Sequence, residues 1–455
     1  MFSNYIKIAW RNLFNSKSFS TINIIGLSIG VTCCLIIFQY VAFESSFDRF
    51  HTKGDRLYRV LQAWAMGTDE LGAGHAYTAQ ALAPALKEGV PEIAGITRLH
   101  SEDALVSNPS RPDQVFEENM MLYADADFLN MFSFNLSAGS DKAILRPGEI
   151  MISTSAAKKY FGESDPVGQN LQVNGNIEKT FTVSAVFEDV PKNSHLQFTM
   201  LLPIQDLLNG PDYSTEPEGG WSWNNFTTYI ELHPDANVKT VEEKMTAVLL
   251  KHRGQIFKQQ GGNAALHVQP LYDVHLNPEI FGAGSIISGS YKTLYFFLVI
   301  GLITLIIALV NYINLATARG LNRSREVGVR KVVGANRGQL VIQFLYESAL
   351  TNVTAFIIAL ALTAALLPTV NEVAETQLDV KQWLDPRFLL ALGGTLLTGT
   401  LLAGLYPAFV LSSFRPASVL KGRGSSMASH VWLRKGLVVV QFTACIVLIG
   451  GTAIV

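Results

Sequence analysis

Five long apolar runs divide this chain of 455 residues and limit what it can fold into. A helix needs about 20 apolar residues to cross the hydrocarbon core of a bilayer. The first run is too long for the apolar core of a signal peptide, and no small-residue cleavage site follows it. Each run holds at most one charged residue, so we predict transmembrane helices at residues 20–43, 291–318, 340–367, 388–411 and 436–455.

Lysine and arginine are concentrated in alternate connections between these runs. Residues 1–19, 319–339 and 412–435 are basic, whereas residues 368–387 hold four acidic residues against one lysine and one arginine. Basic connections stay on the cytoplasmic side of a membrane. The pattern therefore predicts a cytoplasmic N-terminus and places residues 44–290 and 368–387 outside.

Residues 1–19 can form an amphipathic helix. Its apolar face would carry Tyr5, Ile6, Trp10, Leu13 and Phe14, with basic residues beside them. One interpretation is a helix lying on the cytoplasmic leaflet. The alternative is a continuation of the first spanning helix below the membrane.

The segment of residues 44–290 is an acidic block in a basic, apolar frame. It holds 31 acidic and 18 basic residues, a net charge of -13, and the rest of the chain carries +11. Its strand-like and helix-like stretches do not alternate regularly. They are strands at 149–153, 170–173 and 180–187, and helices at 80–87, 155–161 and 238–251, with Asn174-Gly175 as a type I′ hairpin turn. We expect a large α+β extracytoplasmic domain inserted between helices 1 and 2 of an α-helical transmembrane bundle.

Histidines and acidic residues of this block do not form a catalytic motif. Residues 44–290 contain no HExxH pair and no GxSxG elbow. His75 and His195 are expected in loops. The close pair Asp125 and Asp127 precedes an apolar stretch, which favours the N-terminus of a helix over acid–base chemistry.

Trp221 and Trp223 allow two interpretations. They could form a ligand-binding surface, or they could belong to a buried aromatic loop, which we favour. With the missing catalytic motifs, this predicts a binding or docking domain and not an enzyme.

A basic segment follows the second apolar run. It reads Arg-Glu-Val-Gly-Val-Arg-Lys-Val-Val-Gly-Ala-Asn-Arg over residues 325–337, and Gln-Phe-Leu-Tyr-Glu follows at 343–347. Valines alternate with charges at the spacing of a short helix, and Gly334 supplies a stop. Such a helix could dock in a partner's groove. Alternatively the segment only fixes membrane orientation, but charge alone does not require Glu326, Gly328 and Gly334.

Polar and small residues inside the apolar runs point to contacts between helices. Gly26 and Gly30 form a GxxxG step, and Asn311, Asn314 and Glu347 can form hydrogen bonds between helices. The alternative is that the polar residues mark a translocation path. We favour packing.

Three strings resemble the MacB/FtsX-like ABC transporter permeases. Residues 325–337 with 343–347 resemble that family's cytoplasmic motif REIGIRKALGA followed by FLxE. Residues 405–408 with 415–421, which contain Tyr406, Pro407 and Pro416, resemble its YPA…P…ALR ending of the fourth helix. Residues 148–168 are similar to the LFGxxDPVG stretch of the MacB-type periplasmic core domain, at Phe161, Gly162, Asp165, Pro166 and Gly168.

The resemblance implies a non-catalytic permease subunit in the bacterial cytoplasmic (inner) membrane. The sequence contains no GxxxxGK[ST] loop, so ATP and Mg²⁺ would bind a separate ATPase, and this chain would bind no cofactor or metal. The residues implied to contact that ATPase are Arg325, Glu326, Gly328, Arg330, Lys331, Gly334, Ala335 and Arg337. ATP hydrolysis would then drive movement of the extracytoplasmic domain for export or efflux.

Several partners follow from the same resemblance. They are an ABC ATPase dimer, a second permease half or protomer, membrane lipids and, as further candidates, a periplasmic adaptor and an outer-membrane channel; no nucleic acid is expected. The fifth apolar run suggests the N-terminal half of a duplicated eight-helix member. An alternative function is that of an FtsX-like regulator that activates an extracytoplasmic cell-wall hydrolase, although the size of residues 44–290 favours transport.

Overall fold

The chain divides into two compact units in a computed structural model. One unit is Met1–Phe43 with Lys292–Val455, and the other is Glu44–Tyr291. The structure describes residues 7, 9–11, 17–66, 72, 74–139, 145–215, 219–277, 289–413 and 428–454.

One mixed sheet of eleven strands forms the centre of the unit Glu44–Tyr291. Its main path has the order β11-β1-β10-β3-β4-β9-β6-β8-β5, while β2 pairs with β10, and β7 pairs with β3 and β8. The strands are β1 Leu57–Met66, β2 Tyr77–Ala79, β3 Ile93–Ser107, β4 Val115–Ala124, β5 Leu136–Gly139, β6 Glu149–Ser153, β7 Asn170–Asn174, β8 Glu178–Phe187, β9 Met200–Pro203, β10 Asn224–Leu232 and β11 Gly262–Pro270.

The long helix α7 and several short helices pack around this sheet. With the first helix of the chain as α1, their bounds are α2 Leu82–Gly89, α3 Phe128–Met131, α4 Thr154–Phe161, α5 Ile204–Leu208, α6 Pro211–Ser214, α7 Val238–Gln259 and α8 Leu271–Val274. The helix predicted at 80–87 is observed two residues later, as α2, and the helix predicted at 238–251 extends further, as α7. Helix α7 continues to Gln259 because the first residue that needs a left-handed backbone is Gly261, with φ of 73°.

Strand β6 shows why this part of the sequence folds as predicted. Ile150, Met151 and Ile152 are fully buried because β8 and β9 flank the strand and both of its faces are covered. At its end, the Ser153 hydroxyl accepts a hydrogen bond from the Ala156 N–H at 3.2 Å and caps α4. The observed strand has the predicted bounds, and the α+β fold class is confirmed.

The hairpin between β7 and β8 differs from the prediction. The type I′ turn at Asn174-Gly175 is wrong, because the strands are joined by three residues, 175–177. Neither Asn174 nor Gly175 has the positive φ that such a turn requires. A side chain on Gly175 would approach Ala104 of β3 to 2.9 Å, so close packing against the neighbouring strand explains this glycine.

The second unit consists of long helices. They are α1 Lys17–Glu44, α9 Tyr291–Val332, α10 Arg337–Ala374, α11 Pro386–Ser413 and α12 Ala428–Ile454. The segments Ser20–Glu44, Tyr291–Leu315 and Arg337–Ala374 are long and apolar enough to cross a membrane. Shorter apolar segments at Phe388–Leu401 and Val438–Val447 lie in the fourth and fifth predicted spans, whose crossing stays a prediction.

Two sequence predictions fall at the edges of this unit. The amphipathic helix at 1–19 lies mostly outside the described residues, although residues 7 and 9–11 are helical. The segment 319–339 was expected as a loop carrying a short helix, but α9 runs without a break to Val332. No proline interrupts residues 291–332, so the backbone hydrogen bonds of the spanning helix continue beyond the apolar run.

Candidate functional site: a helical corner at residues 325–347

The end of α9, a four-residue turn and the start of α10 form a helical corner at residues 325–347. Helix α9 ends in a Schellman motif, in which Gly334 N–H donates to the Lys331 carbonyl at 3.1 Å and Ala335 N–H donates to the Arg330 carbonyl at 3.0 Å. Gly334 has φ of 100°, a conformation that residues with a side chain rarely adopt. The glycine therefore fixes where the helix stops.

Helix α10 begins with its own cap. The Asn336 side chain accepts from the backbone of Gln339, and the Gln339 Oε1 accepts from the Asn336 N–H at 3.1 Å. This reciprocal pair is a capping box. Because both helix ends have their hydrogen bonds satisfied locally, the turn between them has a defined conformation.

Apolar and polar contacts hold the two helices of the corner together. Val327 packs against Leu340 and Phe344 in a small buried cluster. Beside it, Arg330 Nη1 donates to Gln343 Oε1 at 2.6 Å, and Gln343 Nε2 donates to Glu347 Oε1 at 3.2 Å. Glu347, predicted to pack between helices, lies at the end of this chain.

The outer surface of the corner combines exposed valines with basic residues. Val329, Val332 and Val333 are 53%, 65% and 81% exposed. Partial burial, together with repulsion from Arg337, lowers the pKa of Lys331. Crowded positive charge around exposed apolar side chains is a suitable surface for a partner protein with an acidic rim and an apolar groove.

Other predicted contact residues are less fully described. Gly328 is buried, while Ala335 is partly exposed in the turn. The backbone of Arg325 and Glu326 is helical, and their side chains lie outside what the structure describes. Sequence reasoning missed Gln343 as a site residue, although its spacing of four from Glu347 places both on one face of a helix.

The predicted packing residues of the spans meet where α1 lies against α9. A Cβ on Gly26 would lie 3.2 Å from the Asn311 Nδ2, and one on Gly30 would lie 2.5 Å from the Ala308 Cβ. The glycines therefore allow a close approach of the two helices.

Hydroxyl groups of α1 also approach the backbone of α10. The Ser28 and Thr32 hydroxyls of α1 lie 3.0 and 3.4 Å from the Ala355 and Ala359 carbonyls of α10. Asn314 has a buried amide with no partner among the described residues. The antiparallel register set by the glycine contacts places it at the level of residue 23 of α1.

The motif at 161–168 of the extracytoplasmic unit is a structural turn. Phe161 is buried, and Gly162 caps α4 with φ of 66°. Asp165 Oδ1 accepts from the Val167 N–H at 3.0 Å across Pro166, and the Gly168 N–H donates to the Val183 carbonyl at 2.8 Å. This motif orders the connection from α4 to β7.

The motif of the fourth span lies at the edge of the described chain. The backbone of Tyr406 and Pro407 is helical, while their side chains are not described, and Pro416 lies outside the described residues.

The acidic pair of the extracytoplasmic unit proves to be paired with cations. Asp125 binds Arg98, with Oδ1 2.7 Å from Nη2, and Asp127 binds Lys87 at 2.8 Å. The expected helix is α3, only four residues long, and Asp127 makes no side-chain cap to it. A helix does begin after the pair, with Asp127 at its N-cap position, but the two carboxylates bind Arg98 and Lys87 and do not cap it.

The two tryptophans differ from each other. Trp221 is partly buried and stacks on His252 with 4.8 Å between ring centroids, whereas Trp223 is 48% exposed. A buried aromatic loop thus describes Trp221 alone.

His195 is the residue whose environment the sequence concealed. It lies in an irregular segment, as expected, yet it is fully buried. Its Nδ1 is 2.8 Å from Asp48 Oδ2, and its Nε2 is 2.7 Å from the Tyr229 hydroxyl. Burial alone would raise the pKa of Asp48, but the pairing with His195 more than reverses this and holds that pKa below its ordinary value.

Two families of known proteins match this chain. Residues 20–248 match the family described as MacB-like periplasmic core domain, and residues 298–416 match that described as FtsX-like permease C-terminal.

Similar individual proteins include a macrolide export ATP-binding/permease protein MacB from Bdellovibrio bacteriovorus. It is 23% identical over 60% of this chain and 38% of its own length, so the chain spans well under half of that relative. The MacB of Chlorobium luteolum is 20% identical over 92% of this chain and 60% of its own length. An uncharacterized ABC transporter permease of Bacillus subtilis, YvrN, is 22% identical over 76% of this chain and 82% of its own length.

Solved structures similar to the chain include a permease domain and the periplasmic region of a MacB protein. A domain of a putative permease from Porphyromonas gingivalis has a TM-score of 0.40 at 23% identity, covering 48% of this chain and 91% of its own. The periplasmic region of MacB from Actinobacillus actinomycetemcomitans has a TM-score of 0.33 at 16% identity, covering 46% of this chain and 88% of its own. The two family matches together cover residues 20–248 and 298–416, and the chain belongs to the MacB/FtsX-like ABC transporter permease family.

Proposed function

We propose that this chain is the permease subunit of an ABC transporter and that a separate ATPase docks on the helical corner. The observation that supports this most directly is the exposure of Val329, Val332 and Val333 beside basic side chains on a turn that is capped on both sides. Three apolar side chains exposed close together and beside charge form a patch that a docked partner would bury.

The corner can transmit force because its two helices are joined at several points. The cluster of Val327, Leu340 and Phe344 and the chain from Arg330 to Glu347 link the end of α9 to the start of α10. A displacement of the turn therefore moves both helices together. We propose that the corner lies on the cytoplasmic side of a bacterial inner membrane. Closure of an ATPase dimer on ATP binding would supply the displacement, and the result would be export or efflux.

In this proposal ATP hydrolysis takes place on the ATPase, and this chain is a non-catalytic subunit. ATP and Mg²⁺ would bind the ATPase, because the sequence contains no phosphate-binding GxxxxGK[ST] loop. A second permease half or protomer would complete the complex, and an adaptor with an outer-membrane channel would extend it.

A matched pair of substitutions tests docking. Val333 and Val373 are both 81% exposed, but Val373 lies near the other end of α10. We expect Val333→Asp to abolish co-purification of a Walker A-containing ABC ATPase from native membranes, because a charge replaces an apolar contact. Val373→Asp should retain it.

The combined replacement of Arg325, Glu326 and Arg330 by alanine tests the polar part of the same surface. ATP-dependent activity in proteoliposomes with the co-purified ATPase should be lost. If the triple variant and Val333→Asp both bound and stimulated the ATPase as the wild type does, the corner would have no role in coupling. Recovery of an extracytoplasmic hydrolase with the complex, in place of an adaptor, would instead favour the regulatory alternative.

A further inference from the structure

A cavity of about 520 Å³ opens on one face of the extracytoplasmic sheet. Its apolar lining includes Leu99 of β3, Leu122 of β4 and Leu196, which belongs to a loop at one side. Small-molecule sites typically have volumes of about 300–1,000 Å³ and combine apolar walls with a few placed polar groups. The cavity therefore has the size of a site for a small organic ligand.

A β-bulge turns Asn224 of β10 towards this cavity. Phe226 pairs with Thr78 and is fully buried, and a regular strand would turn Asn224, two residues away, to the same side of the sheet. The register shifts between the two residues, so Asn224 pairs with Ala79 instead, and it is exposed and lines the cavity. Bulges commonly re-aim a side chain beside a functional site.

A second bulge has the same effect on Asn119 of β4. The register between β3 and β4 shifts between Glu102 and Ala104, which leaves residues 119 and 120 of β4 opposite the single residue Asp103. Met121 remains fully buried, whereas Asn119, two residues away, is exposed and lines the cavity. Two bulges thus bring two asparagine amides to one cavity.

Several polar side chains of the lining are both accessible and unused by the fold. Those that are exposed or half-buried and make no side-chain hydrogen bond to another described residue are Tyr77, Ser101, Asp103, Asn119, Asn224 and Thr227. Thr227 pairs with Tyr77 on one side and with Leu99 on the other, so these three side chains share the face that carries the cavity. A ligand in the cavity can therefore reach several hydrogen-bonding groups at once.

The loop at the side of the cavity is held in place before any ligand binds. Gln197 Nε2 donates to the Pro191 and Ser194 carbonyls, both at 2.9 Å. The His195 N–H donates to Asp48 Oδ1 at 3.1 Å. A wall that is already ordered lowers the conformational cost of binding.

The lining suits a neutral ligand that carries many hydroxyl groups. Asp103 is the one carboxylate among the described residues of the lining, and none of them is lysine or arginine, so an ionic ligand would have at most one oppositely charged partner. Amide and hydroxyl side chains both donate and accept hydrogen bonds, as the hydroxyl groups of a sugar do. The leucines offer an apolar surface to the C–H face of a sugar ring.

The position of the cavity argues against an extended peptide as the ligand. Such peptides are commonly bound through their main chain at the edge of a sheet. This cavity lies instead on the face of β3, whose two edges are already paired with β10 and β4. Recognition here must come from side chains.

We propose that this cavity binds a mono- or disaccharide unit, whose hydroxyl groups form hydrogen bonds with Asn119, Asn224 and Asp103 and whose ring packs on the leucines. The site is separate from the corner at 325–347, so its test does not depend on ATPase docking.

Isothermal titration of the full chain in lipid nanodiscs with maltose, cellobiose and N,N′-diacetylchitobiose tests this. At least one sugar should bind saturably, with an affinity that is the same at about 50 and about 500 mM NaCl, because a neutral ligand is not screened by salt. Asn119→Ala and Asn224→Ala should each weaken binding about threefold to tenfold, the loss expected for a neutral hydrogen bond. The matched control Asn130→Ala removes another exposed asparagine, outside the cavity, and should leave binding unchanged.

Further measurements locate the site and identify the source of the sugar. Ser101→Trp, at an exposed position in the cavity wall, should abolish binding by filling the space. Competition by vesicles that contain a glycosyl diacylglycerol would assign the cavity to a lipid headgroup, and lack of competition would assign it to a free sugar. Absence of saturable binding by all three sugars, equal binding by the three asparagine variants, full binding by Ser101→Trp, or binding of neutral tri-alanine amide in place of any sugar would each overturn the proposal.

Discussion

Replacing Gly334 by alanine separates the backbone geometry of the helical corner from its side-chain contacts. A Cβ at this position would meet nothing within 4 Å, so no steric clash arises. Its φ of 100° is nevertheless unfavourable for alanine by about 1–2 kcal/mol. The folded turn should therefore lose a factor of about 5–30 in its local equilibrium with the open form, since each 1.4 kcal/mol is tenfold.

Hydrogen exchange in nanodiscs measures this change directly. The protected amides of Gly334 and Ala335 should exchange faster by the same factor in Gly334→Ala, and ATPase stimulation should fall with it if the corner couples the two proteins. Gly338→Ala is the control, because Gly338 also meets nothing within 4 Å but lies in α10, where alanine favours the helix by up to about 1 kcal/mol. Equal exchange in Gly334→Ala and the wild type would refute the role given to the Schellman motif.

Three further outcomes are expected. Gly30→Ala should lower the stability of the detergent-solubilised chain by about 1–3 kcal/mol through overpacking. Gly393→Ala is the control, because a Cβ there would meet nothing within 4 Å. Equal thermal midpoints for the two variants would contradict the close helix contact. Burial lowers the pKa of His51 to about 4, so on acidification the unfolded chain binds a proton at this histidine before the folded chain does. The free energy of unfolding should therefore fall from pH 6.5 towards pH 4, and the contribution of His51 should be constant below that. A chemical-denaturation profile that is flat over this range, or that is unchanged in His51→Gln, would argue against this. Tyr229→Phe should cost about 1–3 kcal/mol, since it leaves the buried His195 Nε2 without its partner, and an unchanged urea midpoint would show that the contact is dispensable.

Hydropathy and charge were sufficient to predict the class of this fold. A run of about 20 apolar residues has few alternatives to a spanning helix, because its backbone groups must find partners within the segment. The stop at Gly334 was also predictable, since a glycine after a periodic helical segment commonly adopts the left-handed conformation. These features depend on residues close together in sequence.

The parts that were not predicted depend on distant residues. Asp48 meets His195 across 147 positions, and the order of the eleven strands places β1 between β10 and β11. Nothing local to His195 distinguishes a buried, paired imidazole from one in a solvated loop. Likewise a helix begins after Asp127, as expected, but the ion pairs of Asp125 with Arg98 and of Asp127 with Lys87 depend on other elements and were not predicted.

The length of α9 has a mechanical consequence. At 1.5 Å per residue, its 42 residues form a rod of about 63 Å without an internal proline hinge, whereas α10 contains Pro368. If α9 pivots near one end as a stiff rod, a rotation of about 5° carries the other end through about 5 Å, close to the pitch of one helical turn. A small angular change at one surface of the membrane is thus converted into a side-chain-sized displacement at the opposite surface, by leverage alone.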